Sequence, residues 1–170
     1  MIETLRALYG YTKWANDRVL EAAERLTAEQ LHAPGTAGQG SVIQTLRHLV
    51  ETHGGWLCWW DGSLPAAEAY GRTLDPAEFN TLAVLRREAD RVADQTQAFL
   101  DTLSEQDGNR EYAWQIPDGP LMSMTLWKMM VHVANHGTQH RSEVAAMLTA
   151  AGASPGNLDA LFYFYPRPGQ

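Results

Sequence analysis

Three histidines follow one another at four-residue intervals late in the chain, at His132, His136 and His140. Side chains at positions i and i+4 of a helix project from one face with Cβ atoms about 5–6 Å apart, so two imidazoles can share one metal ion. All three cannot do so, because His132 and His140 would lie roughly 12 Å apart along the helix axis. The spacing predicts that one adjacent pair takes part in a metal site.

The apolar residues of this segment indicate which pair faces the interior. On a helical wheel they form one stripe: Leu126, Met129, Val133, Val144 and Met147. His136 and His140 fall inside the stripe, whereas His132 lies at its edge. Buried polar groups need partners, and either a metal ion or hydrogen bonds to neighbouring groups would supply them. We predict a metal site at His136 and His140, with a hydrogen-bonded pair of core histidines as the alternative.

Two histidines leave a divalent ion under-coordinated, so a third ligand is expected from another helix. An earlier helical segment offers His48 and His53. They are separated by about 140° around the wheel, so only one of them is expected to face the site. Periodicity alone favours His53, which lies nearer the middle of the apolar stripe.

Helical periodicity extends over four long segments, which must position these histidines. They cover about residues 2–25, 41–62, 75–105 and 125–151. Tyr112 to Ile116 and Leu121 to Met124 flank the turn sequence Pro117-Asp118-Gly119, which predicts a short hairpin or an extended crossover. A short helix is expected in the tail after Pro155. The pattern predicts an all-α four-helix bundle.

Composition limits the classes of protein to which the chain can belong. Its 170 residues, 45% of them hydrophobic, predict a single domain over residues 1–170. A net charge of −7 without a basic cluster speaks against a nucleic-acid partner. No apolar run reaches the roughly 20 residues that cross a bilayer, no secretory signal pattern opens the chain, and Cys58 is the only cysteine. We expect a cytoplasmic protein with no membrane partner.

Several segments resemble the DinB/YfiT-like superfamily of metal-binding proteins. The run from His132 to Arg141 is similar to the family's metal-binding helix, and the run from His48 to His53, followed by Trp56, is similar to its second helix. Trp14-Ala-Asn-Asp-Arg-Val-Leu20 and Ser154-Pro155-Gly156 resemble the family's first helix and C-terminal end. The likeness covers nearly the whole chain.

The resemblance implies a four-helix bundle, often dimeric, with one metal ion on three histidines. The family's ligands match His48, His136 and His140, so the resemblance favours His48 over His53, which becomes a residue of the surrounding pocket. Family members include transferases and isomerases that use low-molecular-weight thiols, and this implies a thiol co-substrate. Imidazole suits several first-row ions, of which we expect Zn2+ first and Ni2+ next. A homodimer is expected.

One position departs from the family pattern. Family members commonly continue His-Arg with Gly-Gln, whereas this chain has Ser142-Glu143. Glu143 lies three residues past His140, near the histidine face of the helix, and is the candidate catalytic residue. It would orient a ligand or accept a proton, or it would be an ordinary surface charge of the helix.

Three histidines leave at least one coordination position open, which is typical of catalytic zinc sites. The first hypothesis is a metal-dependent enzyme, a thiol S-transferase or a hydrolase, acting on a small molecule. The alternative is a non-catalytic stress or interaction protein whose ion is structural. A pocket that reaches the metal and is lined by Trp14, Trp56 or Trp60 would favour the enzyme. No His-Glu-x-x-His motif occurs, so zincin-type proteolysis has no support.

Overall fold

Four long helices form the frame of the protein in the computed structural model, which describes residues 1–116 and 118–165. The elements are α1 (Ile2–Ala23), α2 (Ala28–His32), α3 (Val42–Trp60), α4 (Ala66–Tyr70), α5 (Leu82–Thr102), a 3-10 turn (Asp107–Asn109), β1 (Glu111–Gln115), β2 (Leu121–Thr125), α6 (Leu126–Ala150) and α7 (Ala160–Phe164). The fold is mostly helical, as predicted.

Side-chain caps fix where α2 and α3 begin. The hydroxyl of Thr27 accepts a hydrogen bond from the backbone of Gln30, and the Gln30 side chain accepts one from the backbone of Thr27, which closes a capping box at α2. Oγ of Ser41 accepts a hydrogen bond from the backbone N–H of Gln44 at 3.2 Å and starts α3. Both starts agree with the sequence signals.

The start of α5 corrects the sequence analysis, which expected a helix from Asp75 to about Glu105. The Asp75 carboxylate accepts a hydrogen bond from Ala77 N–H at 2.8 Å, but the helical pattern there does not extend past one turn. Thr81 is the actual N-cap, and α5 runs from Leu82 to Thr102. Aspartate followed by proline favours a turn as much as a helix start, and tertiary packing decides between them.

The segment between α5 and α6 is a hairpin rather than a crossover. Strands β1 and β2 pair in antiparallel register, with Ala113 opposite Ser123 and Trp114 opposite Met122. Side chains alternate between exposed and half-buried along β1 and the first four residues of β2, so Trp114 turns toward the protein. Of the predicted turn, Pro117 lies outside the described residues.

Helix α6 packs against both α1 and α3, and α5 packs against the same two helices. The side chains of Leu126, Met129, Met130 and Leu148 on α6 are completely buried. Packing of α3 on α6 brings their histidines together across the interface. Within the described residues, none of the helices has the length and apolarity needed to cross a membrane.

Candidate metal centre

His48 on α3 and the pair His136 and His140 on α6 direct their ring nitrogens to one point. Nε2 of His136 lies 3.3 Å from Nε2 of His48 and 3.2 Å from Nε2 of His140. One ring nitrogen from each residue lies within 4.8 Å of the others. His140 is buried, and the other two rings are half-buried. The structure therefore brings together the three histidines that the family resemblance indicated.

The spacing of these nitrogens fits a divalent ion. At zinc–nitrogen distances of 2.0–2.1 Å, two ligands at the tetrahedral angle lie roughly 3.3 Å apart, which is close to both separations found here. The three histidine nitrogens, from two helices, would fill three coordination positions of such an ion. This cluster could hold a metal ion, and its donor set suits zinc, nickel and related ions equally.

The electrostatics of the cluster favour the neutral imidazoles that bind metal. Burial, followed by the neighbouring His140 and His48, lowers the pKa of His136 to about 4. Burial and His140 lower the pKa of His48 as well. At neutral pH both rings are therefore unprotonated at one nitrogen and can act as ligands.

A hydrogen bond at Nδ1, the ring nitrogen that faces away from the cluster, sets the orientation of the His140 ring. Nδ1 of His140 lies 2.6 Å from Oε2 of Glu143, which is three residues further along α6. An ionised carboxylate only accepts, so Nδ1 carries the proton and Nε2 keeps its lone pair for a metal. Glu143 thus touches the centre through His140, and its side chain is only a quarter exposed.

The sequence as a whole identifies the family to which this centre belongs. The sequence profile of the DinB family matches residues 1–169. This chain belongs to the DinB family. It is also 27% identical to protein DinB of Bacillus subtilis (strain 168) over 163 residues, which cover 93% of this chain and 92% of that protein.

The remaining histidines of this DinB family protein lie outside the cluster. His132 is exposed on α6, and its ring centroid is 6.3 Å from that of His136. His53 faces α5, where its Nε2 lies 3.0 Å from Oγ1 of Thr96. Periodicity alone had favoured His53 over His48 as the third member of the cluster, and the structure does not bring His53 to it.

A groove of about 350 Å³ opens beside His48. Its walls include the indole rings of Trp56, Trp59 and Trp114, together with Tyr70 and Arg72 from α4 and the residues after it. The Trp56 and Trp114 rings meet edge-to-face with centroids 6.2 Å apart. Of the aromatic residues expected to line such a pocket, Trp56 does so, but Trp60 is buried in the core and Trp14 packs against Tyr163.

Sequence reasoning missed two arginines of this region. Arg72 lines the groove, and no motif around it indicated this. Arg141 is only 2% exposed although it directly follows His140. Its guanidinium donates hydrogen bonds to Asn16 Oδ1 at 3.3 Å and Thr138 Oγ1 at 2.8 Å and lies 5.7 Å from the ring centroid of Tyr11. Its place near the edge of the apolar stripe gave no signal of this burial.

Proposed function

We propose that this DinB family protein is a metal-dependent thiol S-transferase, which would join the sulfur of an intact low-molecular-weight thiol to a small electrophilic molecule and release the thiol proton and the leaving group of the acceptor. His48, His136 and His140 would hold the ion, zinc before nickel, within a four-helix bundle. The observation that carries the proposal is the aromatic groove that opens at His48, since a sealed cluster would favour a structural ion.

The groove has the properties of a small-molecule site. Its volume of about 350 Å³ lies in the range of ligand pockets, and three indole rings are among its lining groups. Glu51, Thr52 and Arg72 add polar groups around the rings. A substrate would bind with an apolar or aromatic portion against Trp56 and Trp114, which places its reactive end beside His48.

The carboxylates near the centre favour thiol transfer over hydrolysis. Hydrolysis benefits from a general base that is free to take a proton from water. Glu143 instead holds His140, and Oε1 of Glu51 accepts a hydrogen bond from the backbone of Leu74 at 2.8 Å. A divalent ion would deprotonate a coordinated thiol outright but only lower the pKa of bound water, so thiol transfer depends less on such a base than hydrolysis does.

Metal content is the first test. We expect about one zinc or nickel ion per chain in the parent protein, and loss of the ion in His48→Ala and His140→Ala. His132→Ala is the matched control, because it removes an imidazole from the same face of α6 without touching the cluster, and it should keep the ion. A parent that takes up no metal when zinc or nickel is supplied would refute the proposal.

Activity is the second test, and it uses the metal-loaded protein. Thiol consumption would be followed with low-molecular-weight thiols and electrophilic aromatic acceptors, and ester and amide hydrolysis would be followed in parallel. Trp114→Ala should lower kcat/KM for the acceptor about tenfold and leave the metal bound, whereas Trp14→Ala, a tryptophan remote from the groove, should not. Hydrolysis without thiol transfer would replace the transferase by a hydrolase, and metal binding without either activity would favour a structural ion.

A further inference from the structure

A second cavity lies between α1, α3 and α5, with a volume of about 160 Å³, and the exposed residues Lys13, Asp94 and Gln97 form part of its lining. None of the three clustered histidines lines it. Its wall is largely aliphatic and includes Leu20, Leu46, Leu49, Val50 and Val92. Engineered apolar cavities of about this volume, ~150 Å³, bind benzene, so the space is large enough for one six-membered ring.

His53 gives this apolar cavity a hydrogen-bond acceptor. The hydroxyl of Thr96 donates its one hydrogen to the carbonyl of Val92 at 2.7 Å, so Nε2–H of His53 must donate to Oγ1 of Thr96 at 3.0 Å. Burial and the positive charge of Arg141 lower the pKa of His53 to about 4, which keeps the ring neutral. Nδ1 is then an acceptor, and no hydrogen bond to it is found among residues 1–116 and 118–165.

Asn16 gives the same cavity a donor. A guanidinium group can only donate, so the hydrogen bond from Arg141 fixes which end of the Asn16 amide is the oxygen. The amide nitrogen of Asn16 is left as a donor. A smaller space of about 20 Å³, enough for one polar group, shares Tyr9, Thr12, Asn16 and His53 with the larger cavity and reaches Arg141.

We propose that this cavity binds a neutral, single-ring aromatic molecule with one hydroxyl group, of which phenol is the simplest. The ring lies among the aliphatic side chains, the hydroxyl donates to Nδ1 of His53, and its oxygen accepts from Asn16. Such a ligand satisfies the acceptor and the donor together, whereas an apolar ring satisfies neither. The larger cavity shares no lining residue with the histidine cluster, although His136 lines the smaller space beside it, and the site does not depend on the proposed transferase activity.

Calorimetric titration of the zinc-loaded protein with phenol tests the proposal. We expect one phenol per chain and about fivefold weaker binding of toluene, which has the same ring without the hydroxyl. In His53→Phe the ring shape remains but the acceptor is gone, so the preference for phenol over toluene should disappear. No phenol binding up to millimolar concentration, or an unchanged preference in His53→Phe, would overturn the proposal.

Three further variants locate the site without relying on His53. Ala93→Leu places a larger side chain in the cavity wall and should weaken phenol and toluene alike at least tenfold, whereas Ala98→Leu, on the exposed side of α5, should weaken neither. His140→Ala should keep phenol binding despite the loss of metal. Loss of phenol binding in folded His140→Ala would place the ligand at the metal centre and refute a separate site.

Discussion

Oε2 of Glu143 lies 2.6 Å from Nδ1 of His140, on the side of the imidazole away from His48 and His136. The sequence left two interpretations of Glu143 open, an orienting or proton-accepting group and an ordinary surface charge. The contact supports an orienting role, because a carboxylate on Nδ1 selects the tautomer whose Nε2 faces the cluster. It also raises the basicity of that nitrogen.

We therefore expect Glu143→Ala to weaken metal binding ten- to a hundredfold while the three histidines remain in place. Metal affinity would be measured by competition with a chelating indicator at fixed pH. Glu21→Ala removes an exposed carboxylate from α1 and should leave the affinity unchanged. Equal metal affinities in the two variants would mean that Glu143 is an ordinary surface charge.

Thr96→Val should destabilise the protein by about 1–3 kcal/mol, because it leaves the Nε2–H of His53 without an acceptor in the interior. Chemical denaturation of the metal-free protein measures this change. Thr102→Val is the matched control, since Thr102 is exposed near the end of the same helix, and its effect should stay within about 0.5 kcal/mol. A Thr96→Val protein as stable as the parent would contradict the hydrogen bond on which the tautomer of His53 rests.

The helical wheel placed His136 and His140 on the inner face of α6, where the structure has them, because that depends only on the period of one helix. It could not choose between His48 and His53. A wheel shows whether a residue lies on the apolar face of its own helix, but not which neighbouring helix that residue contacts. His53 is directed at α5 and His48 at α6, and this choice follows from how α3 packs between the two.

The burial of Arg141 is another feature that the pattern of a single helix does not reveal. Its burial depends on Asn16 and Tyr11, which lie on α1 at the opposite end of the sequence, so no local pattern could reveal it. The predicted start of α5 was wrong for a different reason. Asp75 and Thr81 are both good cap residues, and the local sequence does not say which turn continues into a helix.

Acidification should destabilise the metal-free protein in part through His53. Its pKa is about 4 in the folded state and about 6.5 when unfolded, so between these values the unfolded chain binds more protons and stability falls as pH falls. We expect His53→Phe to lose about 1–2 kcal/mol less than the parent between pH 6.5 and 5. Denaturation at several pH values measures this difference, and His136 contributes to both proteins alike. Parallel curves for parent and variant would contradict a neutral His53 in the folded protein.

Arg141→Met should raise the pKa of His53, because it removes the positive charge that helps to keep this ring neutral. The titration of the His53 ring, followed by NMR in the metal-free protein, measures the shift. Arg91→Met, on the exposed face of α5, is the control and should leave that pKa unchanged. If neither variant moves the pKa, burial alone accounts for its low value.

Gly55 allows α3 and α4 to approach each other at the floor of the aromatic groove. A Cβ atom at this position would lie 2.6 Å from the backbone oxygen of Ala69, which cannot move without displacing α4. Gly55→Ala should therefore cost about 1–3 kcal/mol and widen the groove, with a higher KM for the acceptor. At Gly71 the nearest atom would be at 3.5 Å, an ordinary contact, so Gly71→Ala should be neutral or slightly stabilising. Thermal denaturation and acceptor titration of the two variants measure both effects. Similar behaviour of the two would mean that the approach of α4 to α3 does not shape the groove.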